Sequence, residues 1–404
     1  MKIVRKRNSI SIQTIGYQIK LPGVDYEEHG YLIREGNAIY NALTGEAAIV
    51  SDADTFEMMK NWYTAPKGMN LAAFAHIMRQ QAHKMKQSKF ISRFIIFTTT
   101  GCNGACEYCF QHGLEAVNMS EKTATDVAQF ILKKSNPGLE VKIRWFGGEP
   151  LVNKAVMSQI CQVLKDNNRA YTSSMSSNGD LLHDVSTEEM LLWRMKSVQV
   201  TVDAPGEEYD RIKGLPAGAY ERLKETIERF TGVSFTIRVH YDPKKGSDPC
   251  YQVVDDFKKY PNVIMYAAML YDTEKTQADY EELLKIEDYM IECGKMTPTI
   301  PQMNPDIHCM ADNLTAACIT PVGDLTPCEH FVTGESYGTI YSDERDADVL
   351  DKWAAKCKDR DECVDCPLYP SCEMLCNCES DGICSDGYQF YKISKIKRAL
   401  KSLG

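Results

Sequence analysis

Between residues 92 and 270, six runs rich in β-branched and aromatic residues alternate with stretches of helical periodicity, and this alternation restricts the fold more than any other feature of the chain. The strand-like runs are Phe94–Thr100, Val141–Phe146, Tyr171–Ser177, Val198–Asp203, Ser234–Tyr241 and Val263–Leu270. Helical patterns such as Glu121–Lys134, Lys154–Asn167 and Ala219–Phe230 lie between them. A parallel strand must return by a crossover, so serial βα units predict a parallel α/β sheet, curled into a partial or full barrel. Periodicity alone also allows a doubly wound open sheet.

The regions on either side read differently. Residues 1–88 hold strand-like runs near Ser11–Leu21, Tyr31–Arg34, Ala38–Leu43 and Ala47–Val50, then helical stretches around Ala53–Tyr63 and Leu71–Lys86, and are expected to form a small α+β domain. The barrel unit is placed at 89–275 and a helical connector at 276–304, with its helix over 276–297. From 305 to 404 the composition shifts to Cys, Pro, Gly and Asp, which predicts a loop-rich module held by metal and closed by a helix at Tyr388–Leu400.

Barrel active sites gather at the C-terminal ends of strands, and polar motifs stand there in succession. The first strand runs into Cys102-Asn-Gly-Ala-Cys106-Glu-Tyr108-Cys109-Phe110, three thiols on one short loop. Three thiolate ligands leave one position of a four-iron cluster open for a small molecule, whereas a closed structural zinc site uses four. The second strand ends in Gly147-Gly148-Glu149-Pro150, the third in Ser176-Ser177-Asn178-Gly179, the fourth in Asp203. Arg238 and His240 lie near the end of the fifth; His240 is read as a satisfied core histidine, and Cys161, Cys250 and Cys293 as packing residues.

The chain has 404 residues and 16 cysteines, ten of them between Cys309 and Cys384. Disulfide frameworks suit small secreted domains, so metal or cluster ligation is the better account, with zinc as the rival metal. A net charge of −10 without a basic block argues against nucleic-acid binding, and there is neither a signal peptide nor an apolar run of membrane-spanning length. The chain is read as soluble and cytoplasmic.

With these motifs in order, residues 94–240 resemble the core of the radical S-adenosylmethionine (SAM) enzymes, and the cysteines at 363, 366, 372 and 376, downstream of 309, 318 and 328, resemble the SPASM extension of that family. The resemblance implies a partial (β/α)6 barrel in which Cys102, Cys106 and Cys109 hold a [4Fe–4S] cluster that binds SAM. It implies that Gly147, Gly148, Glu149 and Pro150 form a SAM-binding motif, with the glycines letting backbone approach the ligand and Glu149 on the methionyl ammonium. Tyr108 and Phe110 would lie near the adenine, Ser176 and Asn178 at the ribose or carboxylate, and Asp203 and Arg211 would complete the contacts. Val-Asp-Ala stands here where the family often has Leu-Asp-Gly.

Two auxiliary [4Fe–4S] clusters would take eight thiolates: Cys309, Cys318, Cys328 and Cys376 for one, Cys363, Cys366, Cys372 and Cys384 for the other. Cys357 and Cys378 are extra, and Cys378 is an alternative to Cys384. Glu329 stands where some relatives place a catalytic base. The family context implies a ribosomally made precursor peptide with a leader as substrate, modified by a crosslink such as a Cys thioether, with a ferredoxin or flavodoxin as electron donor. The alternatives are a maturase of a folded enzyme, of the sulfatase formylglycine type, and a non-enzymatic zinc-binding scaffold.

Overall fold

In the computed structural model the described residues are 25–43, 45–49, 64–69, 71–73, 75, 89–270, 275–299, 315–332, 334–355, 361–369, 372 and 384–403. The expected runs at Ser11–Leu21 and Ala53–Tyr63 lie outside them, as do most of Leu71–Lys86 and the thiols of Cys309, Cys357, Cys376 and Cys378.

Near the N-terminus, β1 (Tyr26–Glu28), β2 (Leu32–Glu35), β3 (Ala38–Asn41), β4 (Glu46–Ile49) and β5 (Thr64–Pro66) form two small antiparallel sheets, β1 with β5 and β2-β3-β4. The barrel strands follow: β6 (Arg93–Phe97), β7 (Val141–Phe146), β8 (Tyr171–Ser177), β9 (Met195–Val202), β10 (Ser234–Tyr241) and β11 (Val263–Met269). Each pairs in parallel with its sequence neighbour, as six βα units require. The helices between them are α1 (Glu121–Lys134), α2 (Lys154–Asp166), α3 (Thr187–Leu192), α4 (Gly206–Lys213), α5 (Ala219–Arg229) and α6 (Asp248–Phe257).

Alternate strand residues decide which face meets the helices. Val141, Ile143 and Trp145 of β7, and Phe235, Ile237 and Val239 of β10, are buried in the large core beneath the helices. Residues of the other parity face inward, polar on most strands. Local signals fix the helices: α1 starts at Ser120, whose hydroxyl accepts from the Thr123 amide, and carries Lys133 and Lys134 in its last turn.

The sheet does not stop where the composition changes. β12 (Ala316–Ile319) adds in parallel to the outer side of β6, with Cys318 opposite Ile95, and β13 (Asp324–Thr326) and β14 (Gly338–Thr339) continue it antiparallel. One nine-stranded sheet therefore runs β11-β10-β9-β8-β7-β6-β12-β13-β14. The expectation of a loop-rich module from residue 305 missed this hairpin, because short strands rich in Ala, Cys and Thr carry little periodic signal. The parallel sheet curls in the manner of a partial radical SAM barrel, with β11 at one edge.

The connector helix α7 (Gln277–Glu292) begins at a capping box of Thr276 and Asp279 and packs on the C-terminal helix α9 (Asp386–Lys401); α8 (Ala347–Ala355) lies between them in sequence. Fully buried Glu287 of α7 receives Tyr391 OH at 2.7 Å, Lys395 Nζ at 3.0 Å and Arg398 Nη1 at 2.8 Å, all from α9. The β2-β3-β4 sheet packs on α9 and on Leu368 and Tyr369, and Tyr31 OH donates to the Val364 carbonyl at 2.6 Å. The N-terminal sheet thus rests on the C-terminal cysteine segment.

Removing the Glu287 charge leaves two cations against a buried neutral side chain. Glu287→Gln is expected to lower unfolding stability by roughly 3 kcal/mol, measured by guanidinium denaturation. An unchanged midpoint would show that α7 and α9 are held by apolar packing alone.

Candidate active site

The thiol loop is fastened by the threonines that lead into it. Thr98 Oγ1 donates to the Pro150 carbonyl at 2.9 Å, Thr99 Oγ1 to Asn118 Oδ1 at 2.6 Å, and Thr100 Oγ1 to the Glu115 carbonyl at 2.6 Å. Successive residues thus tie the end of β6 to two segments, Thr98 to the loop after β7 and Thr99 and Thr100 to the stretch before α1. Further along, the Ala105 amide donates to the Lys213 carbonyl at 2.7 Å, which docks the loop on the end of α4. Sequence reading passed over the three threonines, whose hydroxyls are ordinary until the chain is folded.

Gly147 and Gly148 are required by the packing of the fold itself. A Cβ on Gly147 would lie 2.4 Å from the Thr99 carbonyl oxygen, and one on Gly148 would lie 2.3 Å from that of Gly101. Gly147 also has φ +148°, where side chains are strained. The Gly148 and Glu149 amides donate to the Thr99 and Gly101 carbonyls at 3.1 and 2.9 Å. The glycines let two strand-end loops cross in contact.

Glu149 is fully buried and turned into the protein. Its carboxylate accepts from the Leu151 amide at 3.1 Å, Ser177 Oγ at 3.1 Å and the Asn178 amide at 2.7 Å. Burial pushes its carboxyl up to about 7, against the pull of those donors. Asn178 reaches back to the thiol loop: its Nδ2 donates to Asn103 Oδ1 at 2.8 Å and lies 3.7 Å from Cys102 Sγ. Its carbonyl accepts from Tyr209 OH. Asn103 in turn donates to Asp180, which pairs with Arg222 at 2.5 Å.

Asp203 sits at the hub of a second network. It accepts from Tyr108 OH at 2.9 Å and pairs with Lys213 Nζ at 2.9 Å and His240 Nδ1 at 2.8 Å. Burial would raise its carboxyl, but Lys213 and His240 hold it well below the usual carboxylate range. Burial depresses His240, which stays neutral, so Nδ1–H donates to Asp203 and Nε2 keeps its lone pair. That Nε2 is buried with no hydrogen-bond partner among the described residues, so His240 is only half satisfied. Tyr108 rests edge-on against His240 at 5.4 Å between centroids, and burial raises its phenol.

Arg211 does not enter the site. Its side chain is 70% exposed and pairs with Glu208 at 2.6 Å. Lys213, two residues on, is the buried cation instead, and helical phase could have found it: Tyr209 and Lys213 share one face of α4.

Phe110 is 46% exposed and stacks on His330 at 4.3 Å. Glu329 lies beside that contact, its Oε1 3.7 Å from Arg144 Nη1, while Arg144 Nη2 donates to Ser176 Oγ at 2.9 Å. Pro150 opens the short 3₁₀ turn Pro150–Asn153.

Cys102, Cys106 and Cys109 are free thiols on one side of this network. Burial raises the Cys102 and Cys106 thiols, and neighbouring thiols add to the effect. The donor set is sulfur only, which fits an iron–sulfur cluster. Among the described residues no group of three or more His, Cys, Asp or Glu is drawn close enough to hold a single metal ion.

The other described thiols fall in two places. Cys318 is fully buried against Ile95, Phe97 and Val332 with Cys328 nearby, and burial raises its thiol well above the ordinary value. Cys363, Cys366 and Cys372 border the core of the N-terminal sheet, where Gln389 Nε2 donates to Cys366 Sγ at 2.9 Å; Cys384 precedes α9.

Residues 96–241, which span most of this barrel and carry the three thiols after its first strand, match the Radical SAM superfamily. A GTP 3′,8-cyclase of Clostridium botulinum (strain Hall) is 28% identical over 194 residues, 46% of this chain and 58% of that protein. An uncharacterized protein of Methanocaldococcus jannaschii is 28% identical over 102 residues, 25% of this chain and 35% of that one. The chain thus spans less than two thirds of either curated relative. Among solved structures, anSMEcpe with bound AdoMet aligns with TM-score 0.57 at 17% identity, over 77% of this chain and 98% of that one. SuiB of Streptococcus suis bound to the precursor peptide SuiA aligns with TM-score 0.54 at 14% identity, over 89% and 95%. At these identities the likeness is one of fold. Among the described residues no helix is long and apolar enough to cross a membrane.

Two tests follow from this geometry. Gly148→Ala places a methyl against the Gly101 carbonyl and is expected to displace the thiol loop, lowering reconstituted iron by about four per chain with the circular dichroism spectrum unchanged; full iron loading would refute the crossing as its cause. The raised Glu149 carboxyl makes the folded state bind more protons than the unfolded one between about pH 4.5 and 7. Its contribution is present below that window and lost as pH rises through 7, so wild type should lose on the order of 3 kcal/mol relative to Glu149→Gln between pH 5 and 8. Parallel pH profiles of urea stability would exclude it.

Proposed function

We propose that this protein is a radical SAM peptide maturase that installs a crosslink, foremost a Cys thioether, in a ribosomally made precursor peptide. The observation that carries the reading is the three-thiol loop fixed over the inner end of the barrel, with a buried polar network beneath it and a second set of thiols on the adjoining sheet. Cys102, Cys106 and Cys109 would hold the SAM-binding [4Fe–4S] cluster, and with SAM bound this centre supplies a 5′-deoxyadenosyl radical that takes a hydrogen atom from the substrate.

The protein's own residues position and protect. Lys213 and Asp203 fix Tyr108 between two of the thiols, and Glu149 holds the Asn178 turn against Cys102. Glu329, at the rim beside Arg144, would accept the proton that leaves the substrate thiol. One further electron must leave for a thioether to form, because the reaction removes two hydrogens in all. An acceptor for it would be held by the C-terminal thiols: Cys309, Cys318, Cys328 and Cys376 for one auxiliary cluster, Cys363, Cys366, Cys372 and Cys384 for the other. The β2-β3-β4 sheet would take the leader as an added strand, with β2 and β4 as its outer strands. A ferredoxin or flavodoxin would deliver the initiating electron. The precursor peptides named with SuiB and the Cp18Cys peptide named with anSMEcpe support a peptide substrate.

Anaerobic reconstitution is expected to give about twelve irons per chain from three four-iron clusters. Replacing Cys102, Cys106 and Cys109 by Ala should remove about four of these and abolish 5′-deoxyadenosine formation. A short cysteine-containing peptide encoded beside the gene, co-expressed with the enzyme, should lose about two mass units by mass spectrometry, the two hydrogens of one thioether. A colourless zinc protein, or SAM cleavage by the triple variant, would sink the reading.

A further inference from the structure

The inner face of β10 ends two side chains in nitrogens that the fold leaves bare. His240 Nε2 and Arg238 Nε are both buried without a hydrogen-bond partner among the described residues. They occupy successive inward positions of one strand, about 7 Å apart along it. A buried unsatisfied donor or acceptor costs about 1–3 kcal/mol, so two side by side call for a ligand.

The surroundings define its chemistry. Arg238 pairs in register with Thr201 on β9 and Tyr266 on β11. Burial raises the Tyr266 phenol, and the positive charges of Arg238 and Arg144 act against that rise. Arg144 already has Ser176 and Glu329, whereas Arg238 has no carboxylate at ion-pair distance among the described residues. A guanidinium with a free Nε–H beside a phenol is built to take a planar anion through two parallel bonds.

Depth separates this point from the expected cofactor. The thiol loop, Glu149, Asn178 and Asp203 lie at or beyond the strand ends, while Arg238 stands level with Thr201, two residues short of Asp203 and about 7 Å further down the strands. An anion there lies beneath the strand-end layer.

We propose that Arg238, with Tyr266 beside it, binds a carboxylate of the substrate peptide, from an Asp or Glu side chain or from the C-terminus. The lone pair of His240 Nε2, one inward position above, accepts an N–H of the same segment. This inference rests on the peptide-maturase reading and adds that the modified segment is acidic. It assigns Arg238 to substrate positioning.

The test is affinity-selection mass spectrometry on the reconstituted full-length protein with SAM, using pooled random heptapeptides in amidated and free-acid forms. Wild type should enrich peptides with Asp or Glu from the amidated pool if a side chain is bound, or free-acid peptides over amidated ones if the C-terminus is bound. Arg238→Gln should lose that enrichment at least tenfold, and Arg238→Lys should retain part of it. SAM binding by equilibrium dialysis and the thermal midpoint should not change. Enrichment of neutral peptides by wild type would overturn the carboxylate assignment and leave the maturase reading standing. A tenfold loss of SAM binding in Arg238→Gln would assign the arginine to the cofactor and overturn it equally. Failure of wild type to retain any peptide while it still forms 5′-deoxyadenosine would overturn both readings.

Discussion

The crossing of the thiol loop over Gly147 and Gly148 is the contact on which the rest of the site depends. Carbonyls of Thr99 and Gly101 occupy the space where side chains would stand, and amides of the second loop bind them. Hydrogen bonds between backbones at van der Waals contact leave little freedom, so the cysteines are placed by the second strand as much as by the first. The Thr98 hydroxyl adds a bond to the same second loop at Pro150, and those of Thr99 and Thr100 tie the thiol loop to Glu115–Asn118.

Buried charge organises what lies below. Glu149 and Asp203 are both out of water, yet their environments drive them in opposite directions. Glu149 is met by neutral donors and its carboxyl rises towards neutrality, whereas Asp203 is met by Lys213 and a neutral imidazole and stays ionised. The first works as a junction between strand ends. The second orients Tyr108 and His240 and leaves one nitrogen of the imidazole facing the interior. The same logic recurs away from the barrel, where Glu287 fastens α7 to α9 and so brings the N-terminal sheet and the C-terminal thiols together.

Much of the barrel was legible in the sequence because its signals are local. Five of the strand-like runs begin within two residues of an observed strand, and the Val198–Asp203 run lies inside the longer β9 with Asp203 just past its end. Helix ends such as Ser120 announce themselves by capping chemistry. The strand-end motifs do converge, with Asn178 against Cys102 and Tyr108 against Asp203. What failed was the assignment of partners. Arg211 carries the right charge but the wrong helical phase, and Lys213 two residues on reaches the site. The crossing of two loops at Gly147 and Gly148 had no signal in the sequence beyond the glycines themselves. The β12–β13 hairpin was hidden because its strands are too short to carry a periodic signal.

The sequence by itself determined the succession of βα units, the parallel sheet and the gathering of three thiols on one loop, since each rests on periodicity or on residues adjacent in the chain. Only the tertiary structure decided that the C-terminal segment extends the barrel sheet, that Lys213 balances Asp203 while Arg211 faces solvent, and that Arg238 and His240 present bare nitrogens to the interior. Those facts depend on distances between residues far apart in sequence and on which polar atoms burial leaves without a partner. No local pattern encodes either.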